Sequence, residues 1–537
     1  MPTASHVYRN NKMKKLLLFY LVFLFVQMAN AQPVNTNISN GVIFDGEPYL
    51  AINPTNNQNL VAAWMGMKFT NGLFRIAIKT RASFDGGTTW STAAVLPHFG
   101  SSYGSVDVSM AFEKNGLLYI SYIDYRQVPD SGGIYVARSL NGGLSWDTPS
   151  KAFDMYDVIN KRPIDRPWLV VDNSNTANEG TLYITTKPAP WIAPPNRNYF
   201  KASADSGQTW TAIANLDGGT HLIGNAIAAP MAAPATTVNG KFCAIYPSYV
   251  SSQNIYPAYY FASSANQGQS FSYSTVYAAL PAANDTNFKN GYQLITHPSD
   301  ANKLLFLTPD AQNGDADIKA FRSNDEGQTW SSPVRVNDDA LANGKGQDMV
   351  WGAYNEQGNI AVTWRDRRNS GTNGFWSAGY DFYYATSIDN GQTFSPNQKL
   401  SSEFIEFDSL IAENGNDFMS CTYSGDTLYS VWGDTRSTKM NIWFVKTIVS
   451  SNTNVTVTLL DGDKNRWSIF PNPASEELNV AVSPEMIGNE ISVYTSEGKK
   501  IMQTIITDRN TNLKTNSFAK GIYFIEAGNE VQRFIKE

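Results

Sequence analysis

The stretch Ser83-Phe84-Asp85-Gly86-Gly87-Thr88-Thr89-Trp90 decides the fold, because its pattern returns five more times along the chain. The further copies run Ser139–Trp146, Ser203–Trp210, Ser264–Phe271, Ser323–Trp330 and Ser387–Phe394. All six share Ser-x-Asp/Asn-x-Gly-x-Thr/Ser-Trp/Phe. Their starts lie 56, 64, 61, 59 and 64 residues apart, so one supersecondary unit occupies each period. The third position is Asp85, Asn141, Asp205, Asn266, Asp325 or Asp389. Such a residue in a tight turn is expected to accept hydrogen bonds from backbone N–H groups two residues on. Ser and Thr hydroxyls close the turn from either side. Gly at the fifth position takes a positive φ, and the terminal aromatic opens the next strand and buries a large apolar surface. The six turns read as structural hairpin fasteners that carry no chemistry.

The chain has 537 residues, 13% of them aromatic and 16% charged, with a net charge of −6. Gly, Ser, Thr, Asn and aromatics are plentiful and long amphipathic patterns are scarce, which suits short strands and polar turns. The negative charge and the lack of a Lys/Arg stripe exclude nucleic acid as a partner. Cys243 and Cys421 are the two cysteines. They fall in the fourth and seventh repeating units, too far apart for a disulfide. The four histidines form no metal motif, so no metal site is expected. Lys14 and Lys15, an apolar run Leu16–Val26 and Ala29-Asn30-Ala31 make residues 1–31 an export signal. Eleven apolar residues are too few to span a bilayer, and no transmembrane segment is expected in the mature chain.

Each period reads as four short strands. In the second, Asp107–Phe112 is followed by Leu117–Ile123, Gly133–Ser139 and the turn with its following strand. Four-stranded units in radial repetition are propeller blades, and the six turns resemble the Asp-box, or BNR repeat, of sialidase-like β-propellers. Six units carry the turn. After the sixth come another opening at Asp417 and strands at Leu428–Trp432 and Asn441–Val449 without one. The orphan segment Asn35–Phe44 would serve as the outer strand of that last unit and remove a free edge. The expected fold is all-β: a seven-bladed, alternatively six-bladed, propeller over residues 32–450, a linker over 451–466, and a small Ig-like β-sandwich over 467–537. Within the linker, Asp461-Gly462-Asp463-Lys464-Asn465 resembles the start of a calcium loop but lacks the glycine and glutamate that such a loop requires. No cofactor is expected, with a structural calcium left open.

The final module contains Phe470-Pro471-Asn472-Pro473-Ala474-Ser475, the strand Gly521-Ile522-Tyr523-Phe524 and a basic end. These pieces resemble the C-terminal sorting domain of type IX secretion. The resemblance implies a partnership with that machinery and a secreted or cell-surface location.

Strand direction places all six turns at one end of the sheets and the starts of the first strands at the other. That second end gathers Glu47, Asp107, Asp165, Asp348 and Asp417, together with Arg166. It also gathers a repeated Asp-x-Arg at the end of strand two: Asp124-Tyr125-Arg126, Asp366-Arg367-Arg368 and Asp434-Thr435-Arg436. Long loops there carry Trp191 and Trp376. Aromatic faces beside acids and arginines suit a sugar, so a glycan is the expected partner. The candidate catalytic set is Glu47, Asp107, Asp165, Arg166, Arg126, Arg368 and Arg436; the candidate substrate-binding set is Trp191, Trp376, Asp348 and Asp417. The competing reading is a structural salt-bridge ring, since one active site breaks symmetry whereas these motifs repeat.

Resemblance to sialidases implies three arginines on a carboxylate, a Tyr nucleophile and an Asp acid. The expected Phe/Tyr-Arg-Ile-Pro opening is replaced by Gly46-Glu47-Pro48-Tyr49. Phe74-Arg75-Ile76-Ala77 imitates it, but on the strand leading into the first turn. Gly100-Ser101-Ser102-Tyr103-Gly104 matches a hydrolase elbow but lies between strands. Two functions follow: a sugar-directed exo-glycosidase, or a non-catalytic propeller binding glycan or protein at the cell surface.

Overall fold

The computed structural model describes residues 33–449 and 467–537, apart from 71, 127–130, 159, 225–226, 228, 251–254, 279–290, 372–377, 407–415, 497 and 528–529. The export signal, the linker with its Asp461–Asn465 motif, and Trp376 lie outside the described residues. The chain divides into two compact units, with the boundary at Ser451 and Asn452. Both are all-β; the described helix is one three-residue turn, Pro484–Met486.

The described residues of the first unit form seven four-stranded antiparallel sheets in chain order. Their innermost strands are Asp45–Asn53, Tyr103–Phe112, Ile164–Val171, Ala233–Thr236, Gln293–Thr296, Gln347–Tyr354 and Ser420–Ser424. Each innermost strand touches the next, and the first touches the seventh. Side chains bind these neighbours together. The Leu50 N–H donates to Ser420 Oγ at 3.1 Å, the Leu169 N–H to Ser109 Oγ at 3.0 Å, and the Gly352 N–H to Gln293 Oε1 at 2.6 Å. Thr36–Asn37 supplies the outer strand of the seventh sheet, pairing Thr36 with Phe444 and Asn37 with Trp443. The edge that the last sheet would otherwise expose is thus covered from the other end of the unit. Cys243 and Cys421 are free and buried in the fourth and seventh sheets, and burial pushes both thiols up to about 12.

The repeated turns hold as one design with two chemistries. Where the third residue is Asp, the hydroxyl donating to it belongs to Thr: Thr89 Oγ1 to Asp85 Oδ2 at 2.6 Å, and likewise Thr209 to Asp205, Thr329 to Asp325 and Thr393 to Asp389. Where it is Asn, the direction reverses, and Asn141 Nδ2 and Asn266 Nδ2 donate to Ser145 Oγ and Ser270 Oγ at 2.8 and 2.9 Å. The backbone N–H captured lies four residues on, as in Thr89 N to Asp85 Oδ1 at 2.8 Å, not two as expected. Hydrogen bonds from the Thr89 side chain and backbone bring the Asp85 carboxyl down to about 2. The turns are also less self-contained than the pattern implies. Trp90 packs on Phe444 of the seventh sheet at 5.1 Å, Phe271 on Phe200 of the third, and Trp330 on Phe261 of the fourth. Each of these turns therefore fastens its own hairpin to the preceding sheet. A Cβ on Gly87, whose φ is +79°, would stand 2.3 Å from the Phe444 ring.

The second unit packs a three-stranded sheet (Trp467–Phe470, Glu477–Val482, Asn510–Lys514) and a four-stranded one (Glu490–Thr495, Lys500–Ile505, Gly521–Ala527, Glu530–Lys536) around one apolar core that includes Leu478, Val493, Ile525 and Phe534. The Phe470–Ser475 motif has a structural task here. Asn472 Oδ1 accepts from the Ile535 N–H at 2.9 Å, and Asn472 Nδ2 donates to Arg533 O at 3.1 Å, so one side chain caps the edge of the final strand.

Candidate functional site

At the end of the sheets opposite the turns, four of the seven innermost strands carry a β-bulge. The pairing registers slip between Gly46 and Tyr49, Val106 and Val108, Asp165 and Trp168, and Asp348 and Trp351. The residues at the slips are left-handed without being glycine: Glu47 (φ +52°), Asp107 (+50°), Arg166 (+60°) and Met349 (+56°). Each such residue costs about 1–3 kcal/mol and persists because its surroundings hold it. Bulges re-aim side chains, and here three of the four are charged.

Arg166 is the hub. Its Nη1 donates to Glu47 Oε2 at 2.9 Å and to Asp107 Oδ1 at 3.4 Å; its Nη2 donates to Glu47 Oε1 at 3.3 Å and to Asp417 Oδ2 at 2.5 Å. Its backbone N–H donates to Asp107 Oδ2 at 3.2 Å, and its guanidinium lies over the Phe418 ring at 5.2 Å. These partners come from the first, second and seventh sheets or the approach to them, and Arg166 itself from the third. Arg166 is 6% exposed and Glu47 1%. Behind it, buried Lys187 donates to Asp165 Oδ2 at 2.5 Å.

Four carboxyl groups (Glu47, Asp107, Asp165, Asp417) thus share two cations, Arg166 and Lys187. Burial pushes the Glu47 carboxyl up to about 7 against the pull of Arg166, with Asp417 adding to the rise. Burial also drives Asp107 well above the usual carboxylate range. Asp165 is half-buried, and Lys187 and a hydrogen bond with Asp107 hold it below that range against its desolvation. Burial lowers the Lys187 ammonium. Arg166 is pushed well above its ordinary value by Glu47, Asp107 and Asp417, against its own burial. Near neutral pH the cluster holds protonated acids beside ionised ones.

An apolar recess opens beside it, reached by Arg166 and Asp417 and walled by Tyr49, Trp168, Trp351 and Phe418. The four rings touch one another, with Trp168 to Phe418 at 5.1 Å and Tyr49 to Trp351 at 5.5 Å. Met231 and Tyr292 complete an apolar side.

The structure brings Glu47, Asp107, Arg166 and Asp417 together and sets Asp165 behind them. Other expected members lie elsewhere. Asp348 is held within the sixth sheet by Arg365 (Nε, 2.7 Å) and Arg367 (Nη1, 3.1 Å); against its burial they bring its carboxyl to about 2. Arg368 donates to Asp366 at 2.8 Å and lies over Tyr383; Arg436 donates to Asp434 at 2.7 Å and lies over Trp443. These two repeats lock their own turns and also tie them to neighbouring segments, Arg368 through Asp338 and Asn397 and Arg436 through Asn35 and Ser402. In the third, Asp124 accepts instead from the Phe99 N–H at 2.8 Å and from Ser105 Oγ at 2.9 Å, and contacts His98 Nδ1 at 2.8 Å. Arg126 is exposed, and so is Trp191, at 69%. The arginine triad implied by the sialidase resemblance is therefore not assembled from Arg126, Arg166, Arg368 and Arg436, because three of these residues are spread over separate sheets and Arg166 is taken up by acids. Among the described residues no group of three His, Cys, Asp or Glu side chains is placed to hold a metal ion. Sequence reasoning missed Lys187 and the aromatic wall. The wall had a signal: an aromatic follows the opening charge in Glu47-Pro48-Tyr49, Arg166-Pro167-Trp168 and Asp417-Phe418.

Comparison with known proteins adds two matched segments and several distant likenesses. The chain is 29% identical over 109 residues to beta-agarase A of Zobellia galactanivorans; that match covers 20% of this chain and 19% of the agarase. An α-L-arabinofuranosidase of Fusarium graminearum is similar in structure, with 13% identity, 78% of this chain and 98% of that one covered, and a TM-score of 0.44. A Hadza microbial sialidase is similar with 14% identity, 70% and 74% covered, and a TM-score of 0.42. No helix among the described residues is long and apolar enough to cross a membrane. Residues 129–371 match the BNR repeat-like domain and residues 468–537 the secretion system C-terminal sorting domain. The chain therefore carries a BNR repeat-like domain and ends in a sorting domain that directs it, through the type IX machinery, to the cell surface or the extracellular space.

Proposed function

We propose that this is an exported, glycan-directed propeller of seven blades with an Ig-like sorting module, and that its central recess receives an uncharged sugar. Seven sheets whose innermost strands touch in a cycle support the blade count over six. The observation that carries the ligand reading is the recess itself: four aromatic rings beside one edge of charge, with Arg166 already engaged by three carboxyl groups. Aromatic faces stack on the C–H faces of sugars, and among the described residues lining the recess Arg166 is the one cation. This departs from the anionic sugar that the sialidase resemblance implies.

Glu47 is the proton donor in this reading, because an acid held near 7 is protonated in about half the molecules at neutral pH, where an ordinary carboxyl group is almost fully ionised. Asp417, at the recess wall, is the second carboxyl group. The test is release of reducing ends from neutral oligosaccharides and aryl glycosides by the mature chain. Turnover that falls as pH rises through about 7 and disappears in Glu47→Gln, with binding retained, would support hydrolysis. Binding without turnover would support the second reading, a non-catalytic glycan receptor, which is favoured by the near-complete burial of Glu47 against Arg166. Absence of binding by any neutral glycan would defeat both.

A further inference from the structure

One hairpin of the first sheet has no counterpart in the other six. Its strands, Asn56–Thr70 and Leu73–Ser83, contain 15 and 11 residues, whereas the second strand of every other sheet has nine or fewer. The innermost strand pairs with it as far as Gly66, opposite Asp45, and beyond Met67 the two strands run on alone. The order of residues toward the tip is specific. Lys68 stands directly opposite Arg75, then Phe69 opposite Phe74, then Thr70 opposite Leu73. Phe69 is 61% exposed and Phe74 50%, with ring centroids 5.0 Å apart, and Leu73 is exposed beside them.

Nothing in the fold explains this arrangement. Like charges directly opposite each other weaken a strand pair. Among the described residues neither Lys68 nor Arg75 has an ion pair, although most buried and half-buried cations of the chain have one. Exposed paired aromatics cost solubility and mark a binding surface. The order, an apolar tip above a basic collar, matches the interface of an anionic lipid layer. Two residues of strand advance about 7 Å, comparable to the depth of about 5–10 Å at which interfacial segments seat. Long basic side chains just above that depth reach phosphates.

The geometry points to this hairpin as a finger that seats Phe69, Leu73 and Phe74 in an anionic lipid surface, with Lys68 and Arg75 on the headgroups. The inference is independent of the sugar reading. It gives an exported chain a means of staying on a surface without a transmembrane helix. The test is co-sedimentation of the full chain with vesicles of phosphatidylcholine containing phosphatidylglycerol, against pure phosphatidylcholine. Expected are salt-sensitive capture by the anionic vesicles and losses of about tenfold or more in both F69S/F74S and K68S/R75S, with unchanged melting. A dye on Leu73→Cys should report an apolar environment on vesicle binding; Cys243 and Cys421, being buried, leave that label selective. Several outcomes would overturn the proposal. They are no capture of anionic vesicles at low salt, capture unchanged in both double variants, a dye response to a sulphated galactan but not to vesicles, or variants that abolish self-association while leaving vesicle binding intact.

Discussion

The two ends of the sheets solve one problem, fixing polar groups where strands reverse, in opposite ways. At the turn end the solution is local and copied six times: each Asp or Asn is satisfied by residues within four positions, and the group is exposed. At the other end the solution is long-range and made once. Arg166 reaches Glu47 across 119 residues of sequence and Asp417 across 251, and the group is buried and strained. The lesson is that repetition marks architecture, whereas chemistry is sought where the repeat breaks. The Asp-x-Arg motif shows both cases: two copies lock their own turns, and neither belongs to the hub.

The sharpest way to break this comparison is to remove the hub. Arg166→Met would leave three buried carboxyl groups without their cation, which is expected to cost about 4 kcal/mol in denaturant unfolding. The loss should be smaller at pH 5 than at pH 8, since acids without a cation can take protons. A loss below 1 kcal/mol would mean that the acids do not depend on Arg166.

Next in size is the pH dependence of Glu47. Its folded value, about 7, lies above the ordinary 4.5, so its contribution to stability is full below 4.5 and is lost as pH rises through about 7. The loss approaches about 3 kcal/mol at its upper limit. Glu47→Gln should flatten that part of the stability profile, with Asp107 contributing a remaining slope of the same sign. An unchanged slope would contradict a protonated Glu47.

The turn end gives smaller effects that depend on the neighbouring sheet. Gly87→Ala should cost about 3 kcal/mol, combining a left-handed backbone with overpacking on Phe444. Gly207→Ala shares the left-handed backbone but meets Leu182 at 3.3 Å, and should cost about 1 kcal/mol. Equal costs would show that the turns do not bind to the preceding sheet. Smallest is Asn141→Asp: the Ser145 hydroxyl can rotate from accepting to donating, so the unfolding free energy should change by less than about 0.5 kcal/mol.

Much of the fold was legible because its signals are local. The Ser-x-Asp/Asn-x-Gly spacing sets the turn chemistry within eight residues, and alternation in Leu118-Tyr119-Ile120 marks a strand. The fate of Asn35–Phe44 was legible by accounting for a free edge. The hub was legible only in outline. Arg166 and its acids were singled out by position, but nothing in the sequence says that Glu47, Asp107 and Arg166 would be turned left-handed toward one point, or that Asp348 would be claimed by Arg365. Lys187 was hidden because a lysine in a strand gives no sign of being buried. The Arg166 contacts span sheets, whereas Arg365 to Asp348 and Lys187 to Asp165 join paired strands of one sheet; all lie beyond the reach of a local pattern.

The most direct test of the division between a building end and a binding end is a crystal structure of the mature chain with an uncharged oligosaccharide. The account predicts a sugar ring in the central recess, stacked among Tyr49, Trp168, Trp351 and Phe418 and within hydrogen-bonding reach of Asp417. A sugar seated on the repeated turns, or a recess that stays free of sugar at saturating concentration, would contradict it.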